Sequence, residues 1–572
     1  MKFLIKKIYI ILFLLPILLA GSKVFAKESK IQYTKENVSN YFSGIIYANQ
    51  NNNNEAFEHL KKAKSLKNIH SRYNAEYIRT LILLEKFDKA FSFSKNVWNP
   101  NEFIFETDLL LGLDYFIKKD YTNAEKHFER LNKISKYNLF FSDFIGNILI
   151  AWSKASQGNK EDSFKFLKKI PKPYRQIKKT QNIFLQCYFD EPETLKSFEE
   201  LINDKDYNFS RYNFFLANYL LFNDKTAEAI KVIRNSRKEY NSNLLIKQVE
   251  NFLLNNKNEK IKNIFNCKNP NDSIAEFFYV IANLYSSEKS YKLSNFYMKL
   301  SIFLNPKFLP NQTLLAENYY YQEKKELSKN IYQSLKSIGS IYSWHASRSI
   351  AAILLDLKGK KHSISSLENE FNQLSNPSFE HYYELANFYK NNEYYEKSIK
   401  YYSLALKKIK KDHSLVPKIL ERRGTSYERL GDWENAEKDL TKSLEILPDQ
   451  AHVLNYLAYS WIDQGIKVEE GLEMLKKADQ LRGNDGYIID SLGWAYYVKK
   501  NYTQAEFFLQ RAVELLPEDP IINDHYADAL WMLNKNIQAR YVWKYVLTLD
   551  KTEQELKDNI SKKLIFGISK KL

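Results

Sequence analysis

The side chains able to do covalent or acid–base chemistry are few in this sequence, and they lie apart. Nine histidines are spread over 572 residues. None forms H-E-x-x-H or H-x3-H, the spacings that put two metal ligands on one helical face. There is no G-x4-G-K-[ST] loop to cradle phosphates and no G-x-S-x-G turn to present a nucleophilic serine. Cys187 and Cys267 are the only cysteines, too distant for a C-x2-C pair. The nearest polar constellation is Asp524, His525 and Asp528 on one helix. Acid–base catalysis needs a further group to complete a site, and none adjoins. The expectation is a chain with no catalytic, metal or cofactor residues, and no enzyme.

What positions these residues is a repeated unit. From Pro417 to Asp550 a pattern of about 34 residues recurs four times. Leu492-Gly493, Tyr496, Ala505, Leu509, Ala512 and Pro517 mark its clearest copy. Gly424, Tyr427, Ala436, Leu440 and Pro448 keep the same offsets in an earlier copy, and Ala527, Leu530, Ala539, Trp543 and Val546 keep them in the last. Between the first two, Leu457-Ala458, Trp461, Gly471, Leu475 and Ala478 follow with one extra residue in the turn. This resembles the tetratricopeptide repeat, in which small residues mark the contact of two helices in a hairpin and large apolar residues fill the gap to the next. The resemblance implies an all-α, right-handed α-α superhelical solenoid.

Tracking the small residue of the first helix upstream gives Gly44, Ile78, Gly112, Ala151, Leu185, Ala217, Glu250, Ala282, Ala316, Ala351 and Ala386 before Gly424. The count is about 15 hairpins. The resulting division is a signal peptide at 1–26, divergent repeats at 27–270, further repeats at 271–412, clear repeats at 413–550 and a capping helix at 551–572. In a solenoid each hairpin packs only on its neighbours, so the core is expected to grow in one dimension. Low Gly and Pro, 15 and 13, suit a mostly helical stack. In the last segment, Ile560, Leu564, Ile565, Ile568 and Leu572 recur at helical spacing to cover the final hairpin. A basic amphipathic helix touching anionic lipid is the alternative.

Residues 1–26 read as an export signal. Lys2, Lys6 and Lys7 precede the apolar run Ile8–Ala20, and Val24-Phe25-Ala26 offers small residues at −3 and −1 of a cleavage site. An uncleaved anchor is the alternative, although the run is shorter than the roughly 20 residues a spanning helix needs. The expected location is exported, in the periplasm of a Gram-negative cell, either free or peripheral to the outer or inner membrane. The formal charge is +17, and losing the four lysines of 1–26 leaves +13. Inside the cytoplasm such a balance would suggest nucleic acid; export argues against it and points instead to anionic envelope polymers or lipid surfaces. The repeat register separates Cys187 from Cys267 by two units. Stacked helices lie about 8–10 Å apart and a disulfide needs Cα atoms within about 7 Å, so the expectation is two reduced, buried thiols.

Binding is what remains. In the family, positions +1 and −3 from the small residue of the first helix face a concave groove. The resemblance therefore implies as groove residues Asn218, Lys247, Asn251, Asn283, Arg348, Tyr383, Asn387, Asn455, Tyr459 and Trp494. Trp152, Phe214, Tyr279, Asp490 and Asp528 fall at the same positions. Asparagine offers a donor and an acceptor to a peptide backbone, and tyrosine adds contact area with a polar tip. The family's carboxylate-clamping variant is matched by Lys247 and Asn251 but broken at Val280. The expected function is a protein–protein interaction scaffold of the bacterial cell envelope, binding a protein or peptide in the groove. The alternatives are a binder of anionic glycan or lipid headgroups and a regulatory subunit of an envelope enzyme.

Overall fold

The computed structural model describes residues 33–135, 144–204, 210–239 and 243–568. The export segment lies outside them, as do Lys570, Lys571 and Leu572. Among the described residues there are 31 α-helices and no strand. Thirty of them follow one another as fifteen helix–turn–helix pairs, from Lys35–Asn49 with Asn53–Lys62 to Pro520–Met532 with Asn536–Val546. The chain divides into two compact units, Met1–Ile353 and Leu354–Leu572, the boundary falling within helix Ser340–Lys358.

One backbone device makes every pair. The first helix ends in a single left-handed residue, at 51, 85, 119, 158, 190, 224, 256, 289, 323, 359, 393, 431, 465, 500 and 534, with φ between 54° and 81°. Where the turn is tightest, the next amide returns to a carbonyl five residues back, as Lys86 does to Leu81 (2.9 Å) and Asn501 to Tyr496 (2.9 Å). This satisfies a carbonyl the helix end would orphan. Only four of the fifteen positions are glycine: Gly158, Gly359, Gly431 and Gly465.

The tracked small residues mark the contact inside each pair. A Cβ on Gly112 would run into the Phe128 ring, and one on Gly493 would stand 2.6 Å from Leu509 Cγ. Where the second helix carries serine in place of alanine, the hydroxyl is satisfied across the contact: Ser294 Oγ donates to Ala282 O and Ser328 Oγ to Ala316 O, both at 2.7 Å. Glu250 departs from the expected register. It is half-exposed and accepts from Arg237 Nε (2.8 Å), while Val249 is fully buried. The weak apolar pattern of helix Leu244–Leu254 hid a shift of one residue.

The first unit departs from neighbour-only packing. Helices Pro270–Ser287 and Tyr291–Leu304 lie back across hairpins far upstream. Lys292 Nζ reaches Glu76 Oε2 (2.9 Å), Lys299 pairs with Glu85, and Phe303 stacks on Phe87 at 4.2 Å. Glu276, fully buried, accepts from Arg211 (2.7 Å), the Tyr212 hydroxyl (2.8 Å) and Gln181 (3.4 Å). Lys324 adds a bond to Asn52 across 272 positions of sequence. Distant polar pairs of this kind leave no trace in a repeat pattern.

The expectation of two separate thiols is also overturned. Cys187 and Cys267 form a disulfide with Cα atoms 6.0 Å apart. Their register was right, but the intervening second helix Asn258–Lys262 is only five residues long. The chain beyond it turns back onto the end of helix Arg175–Tyr188, where Lys268 Nζ also donates to Tyr188 O (2.9 Å).

In the second unit, first helices contact first helices of the next pair along the stack. Helix Gln554–Phe566 packs on the last pair: Ile560 is fully buried among Ala527, Leu530, Trp543 and Val546. Its Lys563 Nζ bridges Asp524 and Asp528, each at 2.8 Å. The Ile568 carbonyl accepts from Trp531 Nε1 (3.1 Å).

Candidate functional site

In the first unit the groove positions are scattered. Trp152 is fully buried and donates to Gln181 Oε1 (2.8 Å). Asn218 is buried and donates to Ile261 O (3.1 Å), so its amide serves its own fold. Asn251 is half-buried beside Gln248 (3.5 Å), and Asn283 stands exposed. Lys247 and Arg348 come together around His345, whose pKa falls to about 4 through burial and the charges of Arg348 and Lys247. First helices Phe144–Ser156 and Arg175–Tyr188 pack against the chain's own helix Pro270–Ser287. There the face expected to hold a partner is occupied by the protein itself.

In the second unit the remaining positions fall on successive first helices. Tyr383 and Asn387 lie on Phe379–Asn391, Asn455 and Tyr459 on Ala451–Asp463, and Trp494 on Gly486–Val498. Asn387 Oδ1 accepts from the Tyr402 hydroxyl (2.7 Å) and from Arg422 (2.6 Å). Asn455 Oδ1 and Trp494 Nε1 are buried atoms without a hydrogen-bond partner. Tyr459 is held above the usual tyrosine range by burial and by Asp463 and Asp490. The Trp494 ring stacks on Tyr497 (4.7 Å) and His525 (4.1 Å).

The Asp524–His525–Asp528 constellation is consumed by the fold. Asp524 and Asp528 hold Lys563, and Asp528 also accepts from Trp543 Nε1 (3.0 Å). His525 pairs with Asp490 (3.0 Å). Burial opposes its charge, but Asp490 outweighs that and raises its pKa. Among the described residues no group of three or more His, Cys, Asp or Glu could hold a metal ion, and no helix is long and apolar enough to cross a membrane.

Three residues of this face escaped the sequence reading: Lys390, Arg422 and His525 in its structural role. Counting only two positions per helix passed over Lys390, four beyond Ala386, and Arg422, two before Gly424. The charge of both would have shown had each first helix been read as a whole stripe.

Repeated helix–turn–helix pairs joined through their first helices define the α-solenoid class. The chain is a tetratricopeptide-repeat protein, with residues 380–407 matching the tetratricopeptide repeat family model. A TPR repeat-containing protein of Pseudomonas aeruginosa is 31% identical over 131 residues, 23% of this chain and 22% of that protein. The chain thus spans about a fifth of that relative's length. Among solved structures, a thermophilic TPR protein of Thermus thermophilus is 17% identical over 33% of this chain and 100% of its own, with a TM-score of 0.28. The Cut9–Hcn1 hetero-tetramer of the APC/C is 13% identical over 93% and 97%, with a TM-score of 0.35. Proteins of this family commonly act as protein–protein interaction scaffolds, typically without enzymatic activity.

Proposed function

We propose that this protein is a non-enzymatic scaffold of the bacterial cell envelope, and that it holds partner segments on the first-helix face of its second unit. One observation carries the reading. On that face Asn455 Oδ1 and Trp494 Nε1 are buried yet unpartnered, whereas in the first unit the equivalent helices are covered by Pro270–Ser287. An unmet donor and acceptor beside aromatic surface are what a bound backbone satisfies. Export is supported by the lysine-led apolar segment at the start of the chain and by the Cys187–Cys267 disulfide, a bond that persists in oxidising compartments.

In-cell photocrosslinking tests both parts. A crosslinking residue at Tyr459 or Trp494 is expected to capture a discrete envelope protein, and one at the exposed Phe507 of helix Tyr502–Leu515 is not. Capture only from Phe507, or only of cytoplasmic proteins, would sink the reading. Recovery of glycan or lipid that washes off in salt, with no protein, would favour electrostatic binding through the basic surface.

A further inference from the structure

The start of this face holds two cations without counter-ions. Lys390 ends helix Phe379–Asn391 half-buried, and helix Val416–Arg429 presents Lys418, Arg422 and Arg429 on one stripe facing it. Among the described residues neither Lys390 nor Arg422 forms an ion pair. Arg422 donates to the neutral Asn387 Oδ1 (2.6 Å), and its guanidinium lies 5.8 Å from the centre of the Tyr383 ring. The nearby carboxylates are engaged: Glu421 pairs with Lys418 (2.8 Å) and Glu428 with Arg429 (3.7 Å). Burial lowers the Lys390 pKa; Glu421 opposes this, while Arg422, Arg429 and Lys418 add to it. Partly desolvated like charges are unfavourable until an anion joins them.

The charge reverses along the face. Four cations against two carboxylates stand at Lys390–Arg429, whereas Asp463, Asp490, Asp524 and Asp528 face only His525 and Lys563 further on. A polyanion laid along the helices would leave the cations only to meet these carboxylates. A protein segment can change its charge from end to end.

We propose that Lys390 and Arg422 seat an Asp or Glu carboxylate of an extended protein segment, which continues over Asn455, Tyr459 and Trp494 with neutral or basic residues. The proposal rests on the partner-binding reading above. First helices about 10 Å apart over three steps give a span of about 30 Å, or about nine extended residues.

The test is fluorescence anisotropy of labelled twelve-residue peptides titrated into the full chain. One carries three Glu at one end, Asn and Tyr in the middle and three Lys at the other. The second reverses that order, and the third alternates the charges at the same composition. One block order is expected to bind at least tenfold tighter than the alternating peptide. Lys390→Glu and Arg422→Glu should each weaken it at least tenfold, and Lys442→Glu on a second helix should not. Lys390→Gln, which keeps the side-chain stem, answers for a reversal that fails to fold. Block peptides binding no better than the alternating one overturn the proposal. Loss on Trp494→Ala but not on Lys390→Glu or Arg422→Glu removes the carboxylate seat and leaves the partner face standing. No loss with any of the three removes both. Polyglutamate or inorganic phosphate competing as strongly as the block peptide overturns the choice of a protein segment.

Discussion

Glu276 shows how much one side chain sets in the first unit. It is fully buried with Arg211, Tyr212 and Gln181 around it. Removing one partner of a buried pair leaves an uncompensated charge and costs about 3–5 kcal/mol. Glu276→Ala is therefore expected to lower the stability of the first unit by about that amount, read as a fall in its denaturant midpoint, with Glu276→Gln milder. His345 sets an acid limit. Its folded pKa of about 4 lies below the ordinary histidine value of 6.5, so the folded state disfavours the proton. The contribution is fully present above pH 6.5 and is lost as pH falls from 6.5 to about 4, by up to about 3 kcal/mol. His345→Gln should flatten stability over that window, checked by thermal melts at stepped pH.

The elements owe their geometry to two positions per hairpin, and these respond oppositely to glycine. At the helix contact, Gly493→Ala would bring a Cβ within 3.1 Å of the Leu509 amide nitrogen. Backbone cannot give as a side-chain tip does, and such overpacking costs about 1–3 kcal/mol. At the turn, Lys119 sits at φ 63°, where a Cβ is strained by about 1–2 kcal/mol, partly offset by the entropy glycine would lose. Lys119→Gly is expected to be stabilising by up to about 1 kcal/mol, seen as a raised melting temperature. The sequence displayed the first position and concealed the second. Alanine and glycine recurred at the contact, but Glu85, Lys119, Asp190 and Lys289 at the turns have no residue type in common.

For the molecule as a whole, the first unit is a set of hairpins closed on itself and tied by a disulfide. The Cys187–Cys267 bond spans 80 positions, and loss of a cross-link over such a loop costs about 2–5 kcal/mol. The double variant Cys187→Ala, Cys267→Ala should show faster amide exchange than the parent chain in 175–188 and 264–287, with 379–532 unchanged. Equal exchange in the variant and the parent would mean that the ion pairs and Glu276 alone hold the closure.

By itself the sequence determined the hairpin count, the contact residue of fourteen first helices and the absence of catalytic spacing, because those depend on local periodicity. Tertiary structure decided which face stays open. Asn218 and Trp152 look like groove residues in register, yet helix packing turned them inward, and Pro270–Ser287 covered the helices around them. Lys390 and Arg422 acquired their meaning only when two helices placed them side by side without a carboxylate. Periodicity records what a residue does within its own hairpin; burial and charge balance are set by hairpins far away in the chain, and no local pattern carries them.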